Sequence, residues 1–169
     1  MTFKYTLNNF IVLLTVLLLQ ILVFNNVNVY NVGFPMIYPL VILLLPVKQP
    51  AYWVLLAAFL TGLVLDFFTN TGGLHAASLT TMAFTRIFVI NKLEPQANYG
   101  KEDRPGLAKF GWRWALIYFS ILILVHHFFY FFVEESSFKH FGEVLLKTGV
   151  STILSFILMI ALNAFIFRS

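Results

Sequence analysis

Apolar runs of 14 to 24 residues recur along this chain, and no other feature narrows its possible folds as far. A helix needs about 20 mostly apolar residues to cross a hydrocarbon core, within a range of roughly 17–25. Six segments meet or approach that length. The first, 7–24, is interrupted by Asn8, Asn9 and Gln20, and the second, 34–47, carries Pro35, Pro39 and Pro46. The third, 51–68, contains Asp66. The fourth, 73–90, is the most polar, with His75, Ser78, Thr80, Thr81, Thr85 and Arg86. Segments 110–133 and 144–167 complete the set.

Composition excludes the main alternative. The 169 residues are 60% apolar and 11% charged, against roughly 45–50% and about 25% in soluble domains. A domain of this size cannot hide so much apolar surface in one core, so a soluble enzyme, a nucleic-acid-binding module and a disordered chain are all disfavoured. With no cysteine, disulfides, thiolate catalysis and Cys-based metal sites are ruled out.

The second segment is the short one. Its 14 residues rise only about 21 Å as a helix, less than a core of roughly 30 Å. Either it crosses with local thinning or continuation into 31–33, or it is re-entrant. Charge placement favours crossing. With an inside amino terminus and six crossings, Lys4, Lys48, Arg86, Lys92, Lys101, Arg104, Lys109, Arg113 and Arg168 lie inside, and only Lys139 and Lys147 outside. This positive-inside split accounts for the net +4 charge without a nucleic acid. Trp53, Trp112 and Trp114 fall at the same inner interface, where amphipathic rings are favoured. No small-residue cleavage site follows Phe24, so the first segment is expected to be a retained helix. The expected fold is all-α: one integral membrane domain over 1–169, six transmembrane helices, both termini cytoplasmic, and a flexible loop over 91–109.

Ionisable groups within spans mark function by default. Asp66 sits near the outer end of the third helix, one turn after Gly62, whose missing side chain permits close helix approach. The structural alternative is a carboxylate capped by the polar turn Thr69-Asn70-Thr71-Gly72-Gly73. On the fourth helix His75, Ser78, Thr81 or Met82, and Thr85 form a polar stripe at helical spacing. Thr148, Ser151, Thr152, Ser155 and Asn163 do the same on the sixth. Such stripes belong inside the bundle, as interhelical hydrogen bonds or a cavity lining.

Topology gathers Asp66, His75, His126, His127 and Tyr130 at the outer ends of their helices, with Glu134, Glu135 and His140 just beyond. His126 and His127 are adjacent, hence about 100° apart on a helix, and no His-Glu-x-x-His spacing occurs. Neither a metal nor a cofactor is expected. Arg86 lies near the inner end of its helix, too far from Asp66 for a salt bridge, and is expected to snorkel to the headgroups. No nucleophile motif, phosphate loop or paired catalytic carboxylates occur. An intramembrane enzyme would need a pair such as Asp66 with His75 or His126, and none is expected.

The stretch Gly62-Leu-Val-Leu-Asp66-Phe-Phe-Thr-Asn-Thr-Gly72-Gly73-Leu-His75-Ala76-Ala77, the Pro-interrupted second span and the six-helix pattern resemble the rod shape-determining protein MreD family. The 20 phenylalanines and the Asn-rich first loop are similar to its Bacteroidetes-type form. The resemblance covers the whole chain in length and hydropathy, and its specific part spans about 59–86. It implies a non-enzymatic scaffold of the bacterial inner membrane, part of the cell-elongation machinery that directs side-wall peptidoglycan synthesis. The implied partner is an MreC-like membrane-anchored protein, with the MreB filament, RodA and its transpeptidase partner reached through it. Gly62, Asp66, Gly72, Gly73, His75 and Arg86 are then partner-binding or core-packing residues. The family's fold is similar to the S components of vitamin (ECF-type) transporters. The alternative is therefore a small-molecule binding subunit that uses the outer cluster Asp66, His75, His126, His127 and Tyr130.

Overall fold

Proline and left-handed residues punctuate the helices. The structure, a computed structural model, describes residues 3–93, 103–106, 110–136 and 138–166, with side chains described from 11 to 163 within these ranges. The expected inside charges Lys4, Lys101, Lys109 and Arg168, and most of the 91–109 loop, lie outside the described residues or side chains. Each of the six expected segments contains an α-helix: α1 (Phe3–Leu22), α2 (Leu40–Leu43), α3 (Ala51–Thr69), α4 (Leu74–Leu93), α5 (Trp112–Glu135) and α6 (Phe141–Ile166). No strand occurs among the described residues, only an isolated bridge between Val29 and Gly33.

Pro50 stands immediately before α3, where a missing N–H costs nothing. Asn70 ends the same helix in the left-handed conformation at φ 56°, its N–H donating to the Asp66 carbonyl. Ser136 ends α5 in the same way at φ 50°. Three helical stretches, Ala51–Thr69, Trp112–Glu135 and Phe138–Asn163, are long and apolar enough to span a membrane.

The most polar helix lies between two others. α4 packs between α3 and α5, and α5 packs against α6, while α1 and α2 close over α3. Eight residues of α4 are buried, including His75, Ser78 and Arg86, and its exposed apolar positions reduce to a narrow strip at Phe84 and Phe88. α3 shows the opposite pattern, with Tyr52, Leu56, Phe59, Leu60, Leu63, Val64 and Phe67 on an exposed apolar face.

The second segment is where the structure departs from a regular span. Residues 34–38 are not helical, and only the single turn α2 follows. Pro35 and Pro39 lack the N–H a helix would use, and the residue before each proline is pushed out of helical geometry. The chain turns again from Ile37, whose carbonyl accepts from the Leu40 N–H, while that of Tyr38 accepts from the Val41 N–H. Tyr38 meets His75 in the first turn of α4 and Leu45 meets Arg86 eleven residues further along it, a distance of about 16 Å along that helix.

Irregular backbone is tolerated in an apolar bundle only where its polar groups find partners. Here side chains of the flanking helices supply them. The N–H of Phe34 donates to Ser151 Oγ at 2.9 Å and that of Met36 to Ser155 Oγ at 2.8 Å. The N–H of Ile37 donates to Gln20 Oε1 at 2.7 Å, and Gln20 Nε2 donates to the Pro35 carbonyl at 3.3 Å. Of the α6 stripe, Ser151 and Ser155 bond across the bundle, whereas Thr148 Oγ1, Thr152 Oγ1 and Asn163 Nδ2 are buried without a partner among the described residues. The hydroxyls of α4 do not bond across it. Ser78, Thr81 and Thr85 donate to the carbonyls of Leu74, Ala77 and Thr81 on their own helix, the common fate of a mid-helix hydroxyl.

Candidate functional site

The α3–α4 junction is built around one glycine and one carboxylate. A Cβ placed on Gly62 would lie 2.3 Å from Ala76 Cα and 2.5 Å from Ala76 N, so the two helix backbones touch there with no room for a methyl group. One turn later, Asp66 reaches over the start of α4. Its Oδ1 accepts from the His75 N–H at 2.9 Å and its Oδ2 from the Ala76 N–H at 2.9 Å. Thr71 Oγ1 adds a third bond to Oδ1 at 2.6 Å. A carboxylate at a helix N-terminus satisfies orphan donors and meets the positive end of the dipole. The side chain is 7% exposed, so these bonds stand in place of hydration. The polar-turn reading of Asp66 is the observed geometry, extended to the backbone of α4.

Gly72 and Gly73 lie in this turn at φ 61° and 99°, and a Cβ on either would meet nothing within 4 Å. Their role is conformational: both occupy the left-handed region that side chains disfavour. Asp66→Ala is expected to cost about 2–4 kcal/mol, because it strips two buried main-chain donors of their acceptors. Asp66→Asn should cost less, keeping one acceptor oxygen. Reversible unfolding in mixed micelles measures both.

Beside the clasp, the outer cluster separates into two groups. Tyr38 Oη lies 2.8 Å from His75 Nδ1 and 2.8 Å from His126 Nε2, bridging α4 and α5. Tyr130 closes the group, its ring 5.0 Å from His75 and stacked 6.5 Å from His126. His127 faces elsewhere. Its Nδ1 is 2.8 Å from the Ile123 carbonyl and its Nε2 3.1 Å from Ser155 Oγ. Nδ1 therefore carries the proton, and Nε2 accepts from the Ser155 hydroxyl, whose oxygen already accepts from Met36. The 100° offset of adjacent helical residues has divided these two histidines between two networks. Glu134 is exposed and lines a separate groove with Gly72 and Gly73. Among the described residues, no three His, Asp or Glu side chains converge as metal ligands.

Above the Tyr38 bridge lies a cavity of about 200 Å³. Gln20, Asn25, Thr71, His75 and Tyr130 supply its polar lining, and Phe24, Phe34, Pro35 and Met36 its apolar wall.

Arg86 does not snorkel. It is 2% exposed, among the most buried large side chains of the protein. Nε donates to Tyr118 Oη at 2.8 Å, and Nη2 to the Leu45 carbonyl at 2.6 Å and the Pro46 carbonyl at 3.2 Å. Tyr118 in turn donates to the Leu43 carbonyl at 2.9 Å. The reason is the broken second segment: α2 stops after one turn, leaving carbonyls without helical donors, and a fork-shaped cation together with a phenol fills that need. Asp66 and Arg86 do not pair: Asp66 caps the first turn of α4, whereas Arg86 lies eleven residues beyond His75 along that helix.

Gln20, Tyr38 and Tyr118 also build these networks, and none of them stands out in the sequence. Gln20 reads as an interruption of an apolar run, and the tyrosines read as aromatic filler. Three prolines within one span were the usable signal, since each frees backbone groups that some polar side chain must satisfy.

No family model, no curated protein and no solved structure matches this chain.

Proposed function

We propose that this protein is a non-enzymatic scaffold of the bacterial inner membrane. In this reading it is a multi-pass chain with both termini in the cytoplasm that binds an MreC-like membrane-anchored partner. Through that partner it helps to organise side-wall peptidoglycan synthesis with the MreB filament, RodA and the transpeptidase of RodA. The observation that carries the reading is the use made of Asp66. Within the 59–86 segment, where the family resemblance is specific, both carboxylate oxygens hold the backbone of α4. Gly62 brings the same two helices into backbone contact. Polar residues spent in this way make a rigid helix pair, and rigidity is what a scaffold contributes. The three long apolar stretches support the membrane setting, and Arg113 lying 5.2 Å over the Trp112 ring suits an inner-interface anchor.

The test is co-expression with the MreC-like protein of the same organism, followed by purification in mild detergent and depletion in cells. A stable complex and rounded cells on depletion are expected. Failure of the complex with unchanged cell shape refutes the proposal, and recovery of an ATPase module in its place would redirect it to a transporter subunit.

A further inference from the structure

Two polar atoms at the outer cavity have no use inside the protein. Tyr130 and His75 both line it, at 7% and 4% exposure. Nδ1 of His75 is engaged by Tyr38, whereas Tyr130 Oη and His75 Nε2 bond to no described residue. Neither is among the fully enclosed polar atoms that lack a partner, so both open onto the cavity and are free to bond to what enters it.

The hydrogen-bond chain beneath identifies what that is. His126 Nδ1 is fully buried without a partner. Orphaned N–H groups are rarer in proteins than under-used acceptors, so with neutral rings that nitrogen carries the lone pair and His126 Nε2 carries the proton. His126 Nε2–H then donates to Tyr38 Oη. Tyr38 has one proton, and it goes to His75 Nδ1 at 2.8 Å, since the other acceptor within reach, Met36 Sδ, stands 3.9 Å away. His75 is left with its proton on Nε2, a donor for the cavity that it lines. Tyr130 Oη offers a second donor beside it. No charged side chain lines the cavity.

We infer that the outer cavity is a binding site for a small neutral carbonyl compound of the carboxamide type. The carbonyl oxygen accepts from His75 Nε2–H and Tyr130 Oη–H, and the apolar body lies against Phe34, Pro35 and Met36. A volume of about 200 Å³ lies below the roughly 300–1,000 Å³ of drug-sized ligand pockets, which restricts the ligand to on the order of ten non-hydrogen atoms. The site does not depend on the scaffold reading, because the cavity and its two free donors define it.

Carbonyl-labelled benzamide, titrated against the full chain in detergent micelles and followed by NMR, is the test. Saturable binding with a dissociation constant of about 1 mM or below is expected for a ligand of this size. Tyr130→Phe should weaken it at least fivefold without shifting the unfolding midpoint, since that hydroxyl has no partner in the protein. Benzylammonium, which lacks an acceptor, should not compete. Long-range nitrogen–proton spectra of ¹⁵N-histidine protein should show His75 protonated at Nε2, with that resonance moving on addition of benzamide. Uptake that never saturates, equal affinity in Tyr130→Phe, competition by benzylammonium, or a His75 protonated at Nδ1 would each overturn the assignment.

Discussion

Replacing Gly62 by alanine should cost at least about 3 kcal/mol, and replacing it by valine should prevent α3 and α4 from docking. Overpacking an ordinary core position costs about 1–3 kcal/mol, because side chains rotate or shift to make room. Here the new Cβ would meet Ala76 Cα at 2.3 Å and the His75 carbonyl carbon at 2.8 Å, well inside the roughly 3.5–4.0 Å of a favourable carbon contact. Backbone cannot rotate away, so the helices must separate by more than 1 Å at the point of contact. The 2.9 Å bonds from His75 and Ala76 to Asp66 lie one turn from that point and would stretch with the separation. The loss therefore combines a clash with the release of two buried donors. Denaturant titration in micelles reads the loss of stability, and amide exchange at His75 and Ala76 locates it. Gly149→Ala is the matched control: a Cβ there meets nothing within 4 Å, and the helix position should gain about 0.5–1 kcal/mol.

The second large effect belongs to Arg86. Arg86→Met preserves much of the side-chain volume and is expected to destabilise by about 2–4 kcal/mol, because the Leu45 carbonyl and the Tyr118 hydroxyl lose their guanidinium donor while the Pro46 carbonyl keeps only the Gln49 N–H. Part of the desolvation cost of a buried cation returns when the charge is removed, so the loss stays below the sum of three charge-assisted bonds. Arg86→Lys separates charge from geometry. An ammonium keeps the charge but cannot reproduce the planar fork that serves Tyr118 Oη and the two carbonyls together. Stability between the wild type and Arg86→Met is the expected result. A lysine variant as stable as the wild type would show that only the charge matters.

Helix positions were legible because hydrophobic runs and their punctuation are local properties. The run that ends at Phe68 and the polar turn after it place the C-terminus of α3 at Thr69, and the fifth and sixth segments also match closely. Gly62 and Asp66 were legible too, one as a missing side chain and the other as a charge where charges are costly. The destination of a hydrogen bond was harder to read, because it depends on which elements become neighbours. Arg86 pointed to the headgroups by its distance from the helix end, yet it turns inward because α2 stops there and leaves carbonyls exposed. His126 and His127 were grouped by depth, whereas their rotation about α5 assigns one to Tyr38 and the other to Ser155. Tyr38 gave no local signal. It became visible only once α4 and α5 were packed on either side of the second segment.

The non-helical stretch 34–38 also sets a schedule for biogenesis. The acceptors for the N–H groups of Phe34 and Met36 are Ser151 and Ser155, which lie 117 and 119 residues further along the chain. At roughly 5–20 residues per second, those partners are made about 6 to 24 seconds after the segment that needs them. During that interval these N–H groups lack their native acceptors, and a buried backbone donor without one is costly. The second segment therefore completes its packing only after α6 has been made, and the order of assembly differs from the order of translation.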